Sequence, residues 1–174
     1  MIGALALSAA LLTSPVTTYH YDMQIFNLPG TTWAEASIAI DSTGSNSLGW
    51  LMAEANGENF IQVGWWDSAQ EGVIPFWENW SSTIYGYYGS SVDMPQSGTI
   101  NVAIANEPNT NIWDLYVEEG ATWVKVYSTT TSFSASSVQW KISTESHDST
   151  PVPALGFGAG FNTGAFKPYV MGSL

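Results

Sequence analysis

The chain has 174 residues, 45% of them hydrophobic, which fits one domain with a sizeable core, and it has no cysteine for a disulfide or a thiolate metal site. Three basic residues stand against fifteen acidic ones, and the formal charge of −12 argues against nucleic acid and anionic membranes as partners. Only 10% of the residues are charged, and this reliance on uncharged polar groups favours an extracellular protein, secreted or at the cell surface, either from an acidic environment or from an ordinary one.

The first segment, residues 1–14, is apolar and allows three interpretations. It has the length of a signal-peptide core, roughly 7–15 residues, but it lacks the basic residues with which such signals begin. It is too short to span a bilayer, which takes ~20 apolar residues. The segment is therefore a leader, a strand of the fold, or an assembly element that donates a strand to a neighbouring subunit.

Residues 15–174 show the pattern of an all-β domain. Short runs rich in β-branched and aromatic residues recur between clusters of Gly, Pro, Asn, Asp and Ser, and no helical period is sustained. The pattern predicts a single all-β domain, either a sandwich or a barrel. The predicted strands are Tyr19–Phe26, Ala36–Asp41, Gly49–Glu54, Asn59–Trp66, Ile74–Trp80, Gly98–Ala105, Trp113–Glu118, Thr122–Tyr127, Val138–Ser143 and Leu155–Phe161.

Alternation along three of these strands predicts an aromatic, acidic binding face, because successive side chains of a strand point to opposite sides. In one strand an amide stands between aromatic rings, on the side that carries Phe60, Gln62, Gly64 and Trp66. In the next strand Glu78 shares its side with Phe76 and Trp80. The late strand presents a polar side, which Glu145 continues and which carries Gln139, Lys141 and Ser143.

Four motifs together resemble the glutamic peptidases of the scytalidopepsin and neprosin types. They are FIQVGWW at 60–66, FWENW at 76–80, GTINVAIANEPNTNIWDLYV at 98–117 and VQWKISTES at 138–146. The resemblance implies an antiparallel β-sandwich, a concanavalin-like jelly roll whose active site lies on the concave face of one sheet. It also implies a catalytic glutamine or glutamate at Gln62, a groove-lining acid at Glu78 and a catalytic glutamate on the late strand.

The late strand departs from the family pattern. In the family the catalytic glutamate lies four positions after an acidic residue, and here Gln139 stands at the first position and Ser143 at the second. Glu145 lies two residues further on, on the same side of the strand. Either a small difference in register lets Glu145 act, or the chain lacks the catalytic acid.

Hydrolysis of an amide needs a base that activates water and a donor for the oxyanion. Glu145 or Glu78 is the candidate base and Gln62 the candidate donor, and each also has a structural interpretation as an ordinary strand or loop residue. Substrate contacts are predicted, beside alternative roles in packing, for Phe60, Trp66, Trp77, Trp80 and Gln139. No metal or cofactor is predicted, since the two histidines lack ligand spacing and no nucleotide-binding loop or serine elbow occurs.

Three extracellular functions stay open at this point. The first is a secreted acid endopeptidase that uses the Gln/Glu pair on a polypeptide substrate. The second is a lectin-like module without catalytic activity, in which the aromatic residues stack on a glycan. The third is a structural subunit of a filament or shell, which assembles by strand exchange through residues 1–14.

Overall fold

Eleven strands account for most of the residues that the structure describes. The computed structural model describes residues 19–28, 30–40, 47–68, 71–80, 84–87, 92–147 and 157–162. The apolar segment 1–14 lies outside these residues, so its three interpretations stay open. Within the described part of the chain, no helix is long and apolar enough to cross a membrane.

The strands follow one another along the chain with one short 3-10 turn at Ala135–Ser137. They are β1 Tyr19–Phe26, β2 Trp33–Ile40, β3 Ser47–Asn56, β4 Asn59–Ser68, β5 Gly72–Asn79, β6 Ile84–Tyr87, β7 Gly98–Asn106, β8 Ile112–Glu119, β9 Thr122–Thr130, β10 Gln139–His147 and β11 Phe157–Asn162.

The strands form two antiparallel sheets. The six-stranded sheet has the order β1-β10-β3-β4-β5-β6, and the five-stranded sheet has the order β11-β2-β7-β8-β9. Strand β10 therefore lies between β1 and β3, with Ser143 opposite Met23 on one side and opposite Trp50 on the other. The arrangement confirms the predicted antiparallel β-sandwich.

Nine of the ten predicted strands differ from the observed ones by one to four residues at one or both ends, and one observed strand was not predicted. Strand β6 was not predicted, because its Ser-, Gly- and Tyr-rich surroundings resemble a loop. Strand β2 begins at Trp33, three residues before the predicted start, since the alternation of half-buried and buried positions already runs from there. Strand β10 continues to His147, and this extension is what places Glu145 in the sheet and not in a loop.

The core lies between the two sheets and is formed by the inward residues of each strand. The predicted core side of β4 is confirmed, since Ile61, Val63 and Trp65 are fully buried. On β10, Trp140 and Ile142 are fully buried as well, and burying side chains of this size stabilises the fold by roughly 2–3 kcal/mol each. The opposite sides of these two strands are thereby left to face outward, where the predicted binding face lies.

Candidate functional site

A groove with a volume of about 580 Å³ lies on the outer face of the six-stranded sheet. Five strands, β1, β10, β3, β4 and β5, contribute its lining. The lining residues are Met23, Leu48, Trp50, Met52, Glu54, Gly57, Phe60, Gln62, Glu78, Trp80, Lys141 and Glu145. The groove brings together Phe60, Gln62, Glu78, Trp80 and Glu145, which the sequence placed on one binding face.

The floor of the groove is apolar because β3 is buried on both of its sides. Residues 47–53 of this strand are all buried, so its even positions form a second cluster outside the main core. This cluster consists of Leu48, Trp50, Met52 and Phe76, with Phe60 and Trp66 packed against it. An apolar surface of this kind on an outer sheet face favours binding of a ligand that has apolar parts.

Gln62 and Glu78 form the polar centre of the groove. The two residues lie opposite each other on β4 and β5, and Gln62 Nε2 donates a hydrogen bond of 2.6 Å to Glu78 Oε2. The indole of Trp80 donates to the same carboxylate oxygen over 3.1 Å. Two donors therefore orient the Glu78 carboxylate within the groove.

The amide oxygen of Gln62 has no hydrogen-bond partner among the described residues. The side chain is only 6% exposed, and a buried acceptor without a donor costs about 1–3 kcal/mol. Because Nε2 donates one of its two protons to Glu78, the amide still offers one N–H and one carbonyl oxygen. Such a pair suits a ligand that brings both a donor and an acceptor.

Glu145 lies on another part of the groove wall. Its carboxylate accepts a hydrogen bond of 3.0 Å from the indole of Trp50, and the residue is 8% exposed. Strand β3 lies between the strands of Glu145 and Gln62. Glu145 is opposite its residue Leu48, whereas Gln62 is opposite its residue Met52. Two strand spacings and four residues separate the backbones by roughly 16 Å, so Glu145 and Gln62 do not share a hydrogen-bonded water.

Ser143, at the position where the family carries its glutamate, is fully buried. Its hydroxyl donates to the backbone carbonyl oxygens of Asp22, over 3.0 Å, and Thr144, over 2.9 Å. The side chain therefore has its bonds within the sheet, and the first protonatable groups of β10 that reach the groove are Lys141 and Glu145.

Lys141 was placed on the polar side of β10 but was not predicted to be a catalytic or substrate-binding residue. It lies in the same cross-strand row as Met52 and Gln62, and it forms an ion pair with Glu54. Both side chains are about 15% exposed (15% and 14%), so the pair is largely withdrawn from water. The alternation on β10 already placed Lys141 outward, and this was the signal that could have identified it.

The predicted substrate contacts lie in different places. Phe60 and Trp80 meet at 5.8 Å between ring centroids on the groove wall, and Trp80 is 49% exposed. Trp66 packs against the groove floor. Trp77 points to the opposite side, where it stacks on Tyr127 at 3.5 Å between the sheets, so the structure does not bring it into the groove.

Two further expectations concern Gln139 and Gly64. Gln139 is exposed at the start of β10 and is not part of the groove lining. Gly64 lies on the side of β4 that was predicted to bind a ligand, but a Cβ there would clash with the backbone carbonyl oxygen of Gly49. The glycine is therefore required by the close approach of β3 to β4. Among the described residues, no cluster of three or more His, Cys, Asp or Glu could hold a metal ion.

Comparison with known proteins gives a likeness of fold. No protein-family model and no curated protein matches the sequence. A crystal structure of scytalido-glutamic peptidase with a peptide-based transition state analog superposes with a TM-score of 0.54 at 11% identity, over 84% of this chain and 76% of that one. A second structure of that peptidase, with a transition state analog inhibitor, gives 0.53 at 13% identity, over 83% and 78%. The fold is that of the glutamic peptidases, as the sequence motifs implied.

A protein of unknown function from Saccharomyces cerevisiae has the same degree of likeness. It superposes with a TM-score of 0.53 at 7% identity, over 85% of this chain and 74% of that one. Identities this low leave activity open, so the function has to be inferred from the groove itself.

Proposed function

We propose that this protein is an extracellular acid endopeptidase, which binds an extended polypeptide in the groove and cleaves it with Glu78 and Gln62. The observation that carries the proposal is the hydrogen bond of 2.6 Å between Gln62 Nε2 and Glu78 Oε2 in the middle of an apolar groove. The shared fold with a peptidase that accepts a peptide-based transition state analog supports a polypeptide as the substrate.

Substrate binding uses the two hydrogen-bonding groups that the Gln62 amide still offers, which are one N–H and the carbonyl oxygen. A residue in an extended peptide presents its own N–H and C=O on the same side, as paired strands do. The peptide N–H donates to Gln62 Oε1, which has no partner among the described residues, and the second N–H of Nε2 donates to the peptide carbonyl. Apolar side chains of the substrate then pack on the floor around Leu48 and Met52.

The chemical step needs only these two side chains and a water molecule. The Glu78 carboxylate takes a proton from the water as its oxygen attacks the carbonyl carbon. The oxyanion that forms accepts a hydrogen bond from the N–H of Gln62 Nε2, which already points to the carbonyl oxygen in the bound state. When the C–N bond breaks, Glu78 returns the proton to the leaving amine, so that acid and amine are released.

Glu145 has a supporting role in this scheme. Its bond to Trp50 and its distance from Gln62 place it on the wall of the groove and away from the amide. It fixes the orientation of the Trp50 indole, which forms part of the floor. The two candidate bases can therefore be distinguished by their removal. Loss of the Glu78 carboxylate is expected to stop the reaction, and loss of the Glu145 carboxylate is not.

The test measures cleavage of an unfolded protein substrate and of internally quenched peptides at acid pH. Glu78→Gln keeps the size of the side chain and is expected to lower kcat by about 10²–10⁴-fold, as removal of a general base does. Gln62→Ala is expected to lower it by about 10²–10³-fold, as removal of an oxyanion donor does. Glu145→Gln is the matched control and is expected to stay within about tenfold of the wild type, the range of an interaction worth 1.4 kcal/mol.

Full activity in Glu78→Gln would overturn the assignment of the base. Loss of activity in Glu145→Gln with retention in Glu78→Gln would transfer the role to Glu145. Each variant is compared with the wild type by near-ultraviolet circular dichroism, so that a loss of fold is separated from a loss of chemistry.

A second candidate is a groove that binds polypeptides without cleaving them. The observation in its favour is Ser143, which is fully buried and bonded to backbone carbonyls where the family carries its catalytic glutamate. In this case an added peptide quenches or shifts the tryptophan fluorescence of the wild type and stays intact. Trp80→Ala is expected to weaken the binding of this peptide. Release of new amino termini from the same peptide would exclude it.

A further inference from the structure

The outer face of the five-stranded sheet carries a second hollow, with a volume of about 430 Å³. Unlike the groove, it is mainly polar, and it lies across β11, β2, β7, β8 and β9. The residues that matter for its chemistry are Glu35, Ser37, Asn101, Glu118, Trp123 and Gly160. The hollow is on the other side of the sandwich from the peptide groove, so the following inference does not depend on the proposed peptidase.

A row of hydrogen bonds crosses this hollow. Ser37 Oγ donates to Asn101 Oδ1, and Asn101 Nδ2 donates to Glu118 Oε2. The register continues the row to Trp123, which lies opposite Glu118 on β9. Both bonds join side chains of neighbouring strands, so the amide and the carboxylate are held in fixed orientations before any ligand arrives.

Glu35 completes the polar rim on the side of β11. Gly160 lies opposite it in the register, and a Cβ at Gly160 would come within 2.8 Å of Glu35 Oε1. Glycine at this position leaves the space to the carboxylate without any shift of the Glu35 side chain. The chain thus holds two carboxylates, Glu35 and Glu118, on either side of the Asn101 amide.

The aromatic residues of this face are exposed in part. Trp33 and Trp123 pack against a small cluster formed by Ala103, Ala105 and Tyr116. The alanines are too short to fill the surface of the sheet, so the two indoles rest on it and remain half-buried. A half-buried indole beside fixed polar groups can pack against the apolar side of a ligand while those groups bond its edge.

We propose that this hollow is a binding site for a neutral carbohydrate. Neighbouring sugar hydroxyls donate to the carboxylates of Glu35 and Glu118, which act only as acceptors, while the C–H face of the sugar ring packs on Trp123. An acidic sugar or a phosphate is disfavoured, because the two carboxylates and the net charge of −12 repel it.

Isothermal titration calorimetry of the full chain with cellohexaose, xylohexaose and mannohexaose tests the site. At least one of the three is expected to bind the wild type. Trp123→Ala and Asn101→Ala are each expected to weaken that binding by about tenfold, the effect of losing roughly 1.4 kcal/mol of stacking or hydrogen bonding. Trp80→Ala, which removes a partly exposed indole from the peptide groove, is the matched control and is expected to bind like the wild type.

A second pair of experiments tests whether the ligand of the hollow is a sugar or a cation. The double variant Glu35→Gln and Glu118→Gln keeps acceptors at both positions but removes both charges, so a neutral sugar is expected to bind within about tenfold of its wild-type affinity. Spermine serves as the cationic probe. The proposal is overturned if none of the three oligosaccharides binds, if Trp123→Ala leaves the binding unchanged, or if spermine alone binds and the double variant abolishes it.

Discussion

The two outer faces of the sandwich are built on similar antiparallel sheets but carry different side chains. On the six-stranded sheet, large apolar residues such as Trp50 and Phe76 are buried in the outer face and surround one bonded amide–carboxylate pair. On the five-stranded sheet, alanines take the same kind of position and the polar residues form a row at the surface. We therefore expect a ligand of the first face to gain its affinity mainly from apolar burial, and a ligand of the second face mainly from hydrogen bonds.

The largest difference is expected for the tryptophans of the two faces. Trp50 is 2% exposed and its indole donates to Glu145, so Trp50→Ala leaves a cavity, removes this donor from the Glu145 carboxylate and is expected to cost about 3–5 kcal/mol of unfolding free energy. Trp123→Ala, on the half-buried indole, is expected to cost about 1 kcal/mol. Urea unfolding followed by far-ultraviolet circular dichroism measures both. Equal losses would mean that the two faces are packed alike.

The ion pairs of the two faces give the next difference. Lys141 and Glu54 are largely buried, so Lys141→Met leaves an unpaired carboxylate and is expected to cost about 3 kcal/mol. Lys125 bonds Asp114 over 2.6 Å but is 47% exposed, and Lys125→Met is expected to cost no more than about 1 kcal/mol. Adding Glu54→Leu to Lys141→Met is expected to recover most of the loss, which a double-mutant cycle measures. A further loss in the double variant would contradict this account.

The smallest expected effects are two pH dependences, and the first lies in the six-stranded sheet. Burial raises the pKa of Asp67, at the end of β4, above its usual 3.8, so the folded state holds this proton more strongly than the unfolded state. Its contribution is therefore most favourable at acid pH, and stability falls as pH rises from about 3.8 through the raised folded-state pKa. Unfolding free energies measured across this range are expected to fall less steeply in Asp67→Asn. An unchanged slope would show that other carboxylates dominate.

The five-stranded sheet has a corresponding group that titrates at alkaline pH. Burial, followed by the nearby Asp114 carboxylate and its hydrogen bond, raises the pKa of Tyr116 well above its usual value. The tyrosine stays protonated in the fold, so stability falls once pH exceeds about 10, where the unfolded chain releases the proton. Together, the two groups favour a stable fold on the acid side.

The sequence was sufficient to predict the sandwich and the centre of the groove. Alternation on β4 and β5 placed Gln62 and Glu78 outward between aromatic residues, and the structure has them opposite each other. Trp77 was grouped with the outer aromatics although it has the opposite parity, and it stacks on Tyr127 inside the sandwich. The parity of the strand was therefore a better guide than its aromatic content.

What could not be predicted depends on the order of the strands. Whether Glu145 or Glu78 accompanies Gln62 depends on β10 pairing with β3 and not with β4, and a local pattern holds no information about this. The ion pair of Lys141 with Glu54 and the bond from Trp50 to Glu145 join residues that are distant in sequence and come together only through that pairing.

The position of β10 also has a consequence for the order in which the chain folds. Strand β1 pairs along its length with β10, which is synthesised much later. The pairing of Met23 with Ser143 therefore cannot form until β10 has been made. A nascent chain that ends before β10 can form the β3-β4-β5 meander, but β1 has no partner there and one wall of the groove is missing. Long-range pairing of this kind slows folding, so the groove is completed late, after most of the chain has left the ribosome.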